Sequence, residues 1–479
     1  MKHLNCYILV FTVFIAFFVR IPNISDKELS HDELITIGIA NGLKREVVLS
    51  ETFTNKDILV YNTVESVKIG TIADNGNSFA YNIVLHYWLK LFGNSNLSAR
   101  LLSILFGILL IPLIYFFSNS LFKNKTASLI IAFLTSIHPL LVDHAQVSRA
   151  YSMGVFFCLL STFLLYRIVS EEKRNIFEYI SYALCVVISL MTHYLTLSVF
   201  ISHALIFILF IRNKKVWIKG IATCVLAVFL FSIWLWVGGL AGFEVMKDQS
   251  NTIGAHAINS DFTQNAYWLP ATPVNIMSGW IQIWLPILGN CFQNFGLRLR
   301  EISFFLLIPL ALLAFLYFKT KDNKQEKTIF FSFVVFMIIQ TFFTTFLAIN
   351  SGHCVSFEPF YSIFIVPYAM IIMGYAMLIL YKRMKNKIIP ISFSISIGII
   401  MIISIIPTHS SARARHFNYN NNIFCTNAKK IKQDYKQGDT VLMQSLFQAK
   451  KINMFLPKNN VYFQKIDTTL KSMYLIKGK

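Results

Sequence analysis

Apolar residues in this chain gather into long runs, and polar ones are confined to the stretches between them. Leu4–Val19, Leu101–Phe117, Ala127–Val142, Ser152–Val169, Val216–Val237, Ile302–Phe318, Ile329–Ile349, Ser362–Tyr381 and Ile388–Ile406 are almost free of charge. A helix rises about 1.5 Å per residue, so roughly 20 apolar residues cross a bilayer. Ile176–Ile211 would be about 54 Å long as one helix, too long for a single crossing, and is read as two short spans turning near His193. The pattern predicts an all-α polytopic membrane protein of about 11 transmembrane helices.

Two regions break the rhythm. Residues 20–98 hold seven basic and nine acidic residues and no full-length span. Within them Phe79–Phe92 is apolar for only 14 residues, which suits a helix lying at the interface. Residues 408–479 read as a small soluble α/β segment, with a helix over Asn427–Lys436 and strands over Thr440–Gln444 and Val461–Lys465. The chain thus divides into a membrane domain (1–407), whose first external loop is 20–98, and a C-terminal segment (408–479).

Charge fixes the orientation. With Lys2 inside, the clusters at Lys123/Lys125, Lys173/Arg174, Arg212–Lys219, Lys319–Lys327 and Lys382–Lys387 all fall on the cytoplasmic side, as basic loops do. The turns near His193 and Asn350–Phe360 hold no Lys or Arg and lie outside. The C-terminal segment also lies outside, although it carries 13 basic and three acidic residues, an excess of ten positive charges. An anionic glycan or lipid surface, or simply a solvated basic face, accounts for that excess.

Composition agrees: 55% of the 479 residues are hydrophobic, 14% are charged and the mean hydropathy is +0.58. The formal charge of +20 sits in loop clusters without any nucleic-acid-binding pattern, so no nucleic-acid partner is expected. The seven cysteines form no C-x-x-C pair, and no metal or disulfide framework is indicated. The spans lack the mid-membrane charges of ion-coupled transporters.

The chemistry is expected on the external face. Asp32-Glu33 precedes the apolar stretch Leu34–Ala40, which predicts a short surface helix with both carboxylates in its first turn, where the helix dipole favours them. Asp32 acting only as a cap is the structural alternative. Further external polar groups are Asp74, Asp143-His144, Gln146, Arg149, His193, His256, Asp261, His353 and Glu358.

These motifs resemble those of the GT-C-type membrane glycosyltransferases, which include protein O-mannosyltransferases and the lipid A aminoarabinose transferase. An early Asp-Glu pair is matched by Asp32-Glu33. A surface-helix pattern is matched by Ala80-Tyr81-Asn82-Ile83-Val84-Leu85-His86-Tyr87-Trp88 through Phe92-Gly93. A Gln-x-x-Arg-x-Tyr loop is matched by Gln146-Val147-Ser148-Arg149-Ala150-Tyr151, and a Thr-His-Tyr turn by Thr192-His193-Tyr194. The resemblance is clear over residues 25–240. Val147 departs from a usual Glu, and Phe360-Tyr361 from a usual Arg-Tyr.

The resemblance implies transfer of a sugar, with inversion, from a polyprenyl-phosphate donor to an extracytoplasmic acceptor, in a bacterial inner membrane. It places Asp32 as base, with Glu33 shaping its charge or helping to hold a metal. Arg149 would clamp the donor phosphate, since a guanidinium fork matches phosphate oxygens. Gln146, Tyr151, Tyr81, His86 and His193 join it as donor- or substrate-binding candidates, the two histidines with a ready structural alternative. No cofactor is assigned with certainty, and a divalent cation shared by Asp143, His144 and Asp32 is left open. The competing readings are a polyprenyl-pyrophosphate-glycan ligase or polymerase, which needs more than one phosphate-binding cation, and a transporter or membrane scaffold.

Overall fold

The computed structural model describes residues 2–22, 24–25, 29–42, 52–54, 63–170, 175–258, 269–288, 324–383, 385, 388–409, 433–434, 436, 440–443, 462–465 and 474–476. Helix follows nearly every apolar run. In chain order the helices are α1 (Lys2–Phe18), α2 (His31–Ala40), α3 (Val64–Ala73), α4 (Phe79–Phe92), α5 (Asn96–Phe122), α6 (Lys125–Ser136), α7 (Pro139–Ala145) and α8 (Tyr151–Ser170). They continue as α9 (Ile176–Thr192), α10 (Leu197–Phe210), α11 (Lys214–Trp234), α12 (Leu240–Ile258), α13 (Pro273–Ile287), α14 (Lys324–Ser351), α15 (Val366–Arg383) and α16 (Ile388–His409).

Five described helical stretches are long and apolar enough to cross a bilayer: Asn96–Phe122, Tyr151–Ser170, Lys214–Asn251, Thr328–Ser351 and Pro359–Lys382. Leu4–Phe18, Ile176–Thr192, Tyr194–Phe210 and Ser394–Ile405 are shorter apolar helices. The run Ile302–Phe318 lies outside the described residues. One expected span differs in shape: Ala127–Val142 is not straight but bends by 54° between α6 and α7. Pro139 opens α7, and a residue before proline is pushed out of the helical region, so His138 adopts φ −68°, ψ 120°. The bend aims α7 toward the loop that carries Gln146 and Arg149.

The interhelical core is aromatic and aliphatic, with Phe336 and Tyr368 stacked at 4.0 Å. A polar knot crosses it. Thr162 Oγ1 lies 2.8 Å from His203 Nε2 and 2.7 Å from Tyr368 Oη, and Tyr182 Oη lies 3.0 Å from His203 Nδ1. Both ring nitrogens of this intramembrane histidine are therefore engaged.

The segment between α1 and α5 folds back on the helices. Ser30 caps α2 reciprocally: its hydroxyl accepts from Glu33 N, and Glu33 Oε2 accepts from Ser30 N at 2.9 Å. The cap is thus Ser30, and Asp32 is released from that task. The short loop helix expected over Phe79–Phe92 is present as α4. α12 and α13 follow α11, and the segment that leads into α13 is tied to the 352–354 turn by Cys354 N donating to Leu269 O and Ala271 N donating to Gly352 O.

Four short strands form one sheet, β1 (Thr52–Thr54), β2 (Thr440–Met443), β3 (Tyr462–Lys465) and β4 (Tyr474–Ile476), in the order β1-β3-β2-β4. Two coincide with the strands expected in the C-terminal segment. The helix expected over Asn427–Lys436 lies almost wholly outside the described residues. β1 of the first loop pairs antiparallel with β3.

Candidate active site

Asp32 and Glu33 are neighbours in sequence with separate environments. Glu33 points into the protein and is 2% exposed. Its Oε1 accepts from Arg100 Nε at 2.8 Å and from Ser148 N at 2.9 Å. Its Oε2 accepts from Arg100 Nη2 at 3.0 Å and from Ser30 N. Burial alone would raise its pKa, but the Arg100 guanidinium and the two backbone N–H groups outweigh burial and hold it below the usual carboxylate range. Every acceptor direction is used. Glu33 is a structural anion that fastens α2 to α5 and to the loop after α7, and it leaves no oxygen facing a substrate or metal.

Asp32, one residue earlier on the helix, is only partly buried. Arg149 reaches α2 beside it. Its Nη1 donates to Thr36 Oγ1 at 2.8 Å and lies 3.4 Å from the Asp32 carbonyl. Thr36 is four residues after Asp32, so both share one helix face. Burial would lower the Arg149 pKa, yet Asp32, Tyr151 and Asp74 outweigh it and raise it, so the guanidinium stays charged. Asp74 comes from the turn after α3.

Tyr151 opens α8 and hydrogen-bonds Arg149. Its ring lies 5.6 Å from that of His193 and 5.2 Å from that of His144. His193 ends α9; its Nδ1 accepts from Leu195 N at 3.2 Å. Burial first, then Arg149, pushes its pKa down to about 3, so the ring is neutral. It serves this site as a shaped wall, and its protonated form is not available near neutral pH. The next residue, Tyr194, anchors the turn: its N donates to Asn77 Oδ1 at 3.0 Å and its hydroxyl to Gly76 O at 2.6 Å.

The remaining sequence candidates stand behind this surface. The Tyr81 hydroxyl is buried against Ser103 Oγ at 2.8 Å and Ser148 Oγ at 3.4 Å. His86 is buried with Nδ1 2.7 Å from Ala40 O, tying α4 to the end of α2. Gln146 is buried and donates to Arg20 O at 3.1 Å. Asp143 lies 3.6 Å from its neighbour His144. Among the described residues, no three His, Cys, Asp or Glu side chains gather as ligands for a metal ion.

Thr36 is absent from the sequence-derived candidates, and Asp74 and Glu358 stand among the polar groups there without an assigned role. Thr36 was detectable only from its helical spacing to Asp32. Asp74 needed the fold to bring it to Arg149. Glu358 was visible as the one acidic group in the stretch 350–360, which has no basic residue, but nothing local tied it to Asp32. It sits just before the 3₁₀ turns leading into α15, and burial together with the Asp32 charge raises its pKa to about 8. Phe360 of the same turn packs against Tyr151 at 5.4 Å and His144 at 5.8 Å, and Tyr361 against His193 at 6.1 Å.

Among the described residues the site thus brings Arg149 beside the partly open Asp32, with the rings of Tyr151, His193 and Phe360 packed around it. Residues 78–236, about a third of the chain, match the family model described as dolichyl-phosphate-mannose-protein mannosyltransferase. No curated protein matches the chain in sequence. Among solved structures it is similar to ArnT from Cupriavidus metallidurans bound to undecaprenyl phosphate, with a TM-score of 0.57 and 10% identity over 95% of this chain and 85% of that one. It is also similar to the archaeal oligosaccharyltransferase AglB from Archaeoglobus fulgidus, in complex with an inhibitory peptide and a dolichol-phosphate, with a TM-score of 0.53 and 10% identity over 91% of this chain. The chain spans 58% of AglB, less than two thirds of its length. Sequence identity this low speaks for architecture alone, and on that ground the chain has the fold of the GT-C-type integral-membrane glycosyltransferases.

Proposed function

We propose that this protein moves a sugar from a polyprenyl-phosphate-linked donor to a hydroxyl of an extracytoplasmic acceptor, with inversion at the sugar carbon. The observation that carries the reading is Arg149 held beside Asp32, while the adjacent Glu33 is wholly engaged by Arg100. A lipid-borne sugar presents its phosphate at the membrane surface. The departing phosphate is already a stable anion, so the reaction needs no general acid. It needs a base for the acceptor proton and fixed positive charge for the leaving group.

Asp32 accepts the proton as the acceptor oxygen bonds to the anomeric carbon. The carbon–oxygen bond to phosphate breaks, and its electron pair leaves on the phosphate, against Arg149. Thr36 and Tyr151 hold the guanidinium at its post, and neutral His193 and Phe360 exclude water from one wall.

Sidedness follows the same reading, with this site and the C-terminal segment (408–479) on the extracytoplasmic face of an inner membrane. Pairing of β1 from the first loop with β3 from that segment supports it, because two hydrogen-bonded strands lie on one side of a bilayer.

The test supplies membranes containing the protein with a panel of radiolabelled polyprenyl-phosphate sugars. Wild type releases polyprenyl phosphate from at least one donor, and Arg149→Gln slows release by about 100-fold, the scale of losing one transition-state charge contact. Release unaffected by the substitution rejects the assignment.

A further inference from the structure

Arg20 lies just past the end of α1 and is wholly buried. Its side chain and its backbone reach opposite ends of α7. Nη1 donates to Ser136 O, at the last residue of α6, at 2.8 Å, and to Ala16 O of α1 at 2.9 Å. The Arg20 carbonyl accepts from Gln146 Nε2 at 3.1 Å. Ser136 stands before the bend that opens α7, and Gln146 closes that helix, its N–H donating to Asp143 O at 3.2 Å. One residue thus grips the seven-residue helix at its entry and at its exit. α5 makes room for the grip at Gly107. A Cβ there would lie 3.2 Å from Arg20 Nε and 3.1 Å from Ala145 Cβ, so the guanidinium and the end of α7 both rest on that glycine.

Gln146 begins the loop that presents Arg149. This loop is joined to the stretch 20–36 at three rungs: Gln146 Nε2 to Arg20 O, Ser148 N to Glu33 Oε1, and Arg149 Nη1 to Thr36 Oγ1. The rungs follow the same order along both segments. A tie from α5 completes the set, with Ser103 Oγ donating to Arg149 O at 3.1 Å.

We infer that Arg20 is a positioning residue for the lipid-linked donor: by holding both ends of α7 and the first rung, it sets where Arg149 stands relative to Asp32. The inference rests on the function proposed above. It adds to that reading a residue that acts on the phosphate clamp from behind, without touching the donor.

The physical argument concerns slack. The 54° bend interrupts the helix between α6 and α7, so α6 does not impose a direction on α7. Seven residues make about two turns, too few to be stable without tertiary contacts. The direction of α7 is therefore set by what holds its ends. Arg149 lies three residues beyond Gln146, so a swing of α7 carries the guanidinium away from Thr36 and Asp32. A guanidinium binds phosphate oxygens through a fork of fixed geometry, and misplacing the fork weakens the contact.

The experiment titrates undecaprenyl phosphate onto the full chain in phosphatidylcholine nanodiscs, with native mass spectrometry reading the bound fraction of folded protein. Wild type, Arg20→Met, Arg149→Gln and the double variant form a double-mutant cycle. Arg20→Met retains an apolar stem and removes both Nη1 bonds. In the otherwise wild-type chain it weakens binding about tenfold, the scale of one hydrogen bond to a charged group. In the Arg149→Gln chain the same substitution changes affinity by no more than about twofold, because the group it positions is gone. General loosening of the structure would weaken binding by the same factor in both chains. Gln146→Leu removes the first rung and leaves the Arg20 guanidinium in place. It weakens binding about fivefold, again only while Arg149 is present, and its cycle decides the question if Arg20→Met does not fold. Undiminished binding by folded Arg20→Met overturns the inference, as do equal losses with and without Arg149. Wild type that binds no undecaprenyl phosphate, or Arg149→Gln that binds it as tightly as wild type, overturns the donor assignment itself, and the inference with it.

Discussion

Glu33 and Asp32 present a comparison in which chemical type is nearly constant and environment is everything. Glu33 is buried, accepts four hydrogen bonds and shares its charge with Arg100. Asp32 is partly open, and the arginine nearest to it is held mainly through Thr36 and a backbone carbonyl. The closed pair joins three parts of the fold. The open pair retains capacity for something that arrives from outside. A motif of two adjacent acids thus divides its labour by helix geometry, since consecutive side chains on α2 project about 100° apart.

Breaking the closed side has the largest expected effect. Arg100→Met leaves Glu33 buried without its counter-charge, which costs about 3–5 kcal/mol, and the thermal midpoint of the detergent-solubilised protein falls accordingly. Replacing both partners, as Glu33→Leu with Arg100→Met, is less damaging than Arg100→Met alone. Glu33 also gives this side a pH signature. Its folded pKa is depressed, so its contribution is present above the unfolded value near 4.3 and is lost as pH falls through the folded value.

A smaller effect is expected where the Glu358 turn meets α8. A Cβ at Gly154 would lie 2.7 Å from the Phe364 ring. Gly154→Val therefore forces the turn outward and costs about 1–3 kcal/mol of stability. Donor turnover declines as well, because Phe360, which packs against Tyr151, moves with the turn.

The smallest expected effect is on the open side. Thr36→Val removes the hydroxyl that orients Arg149 and preserves the side-chain shape. A loss of about 1 kcal/mol, roughly fivefold in donor affinity, is expected with the thermal midpoint unchanged. A large drop in stability instead would place Thr36 with the closed side.

Much of this was legible in the order of residues. Apolar runs and basic clusters specify which segments enter the bilayer, because length and charge alone decide insertion. The short helix after Ser30 and the surface helix at Phe79 follow from capping chemistry and run length. The bend at Pro139 was available from the proline but was obscured by the unbroken hydrophobicity around it. The partnerships of individual polar residues were much harder to read. Tyr81, His86 and Gln146 carry motif positions, yet each is buried in a hydrogen bond to a distant segment. Only the packed fold shows that Arg100, in the Ala99–Ser103 stretch that follows the surface helix, takes Glu33, whereas Arg149 takes the neighbourhood of Asp32. Such pairings join residues 67 and 117 positions apart, a separation that local pattern does not encode.

The division between the two carboxylates is tested most directly by measuring donor turnover and thermal midpoint together for Asp32→Asn and Glu33→Gln in the same membranes. The account predicts that Asp32→Asn loses about 100- to 10,000-fold in turnover, the scale of a general base, with its midpoint intact. Glu33→Gln should lower the midpoint by several degrees, its turnover falling only as folded protein is lost. Wild-type turnover in Asp32→Asn, or a fully stable Glu33→Gln that has lost all turnover, would contradict it.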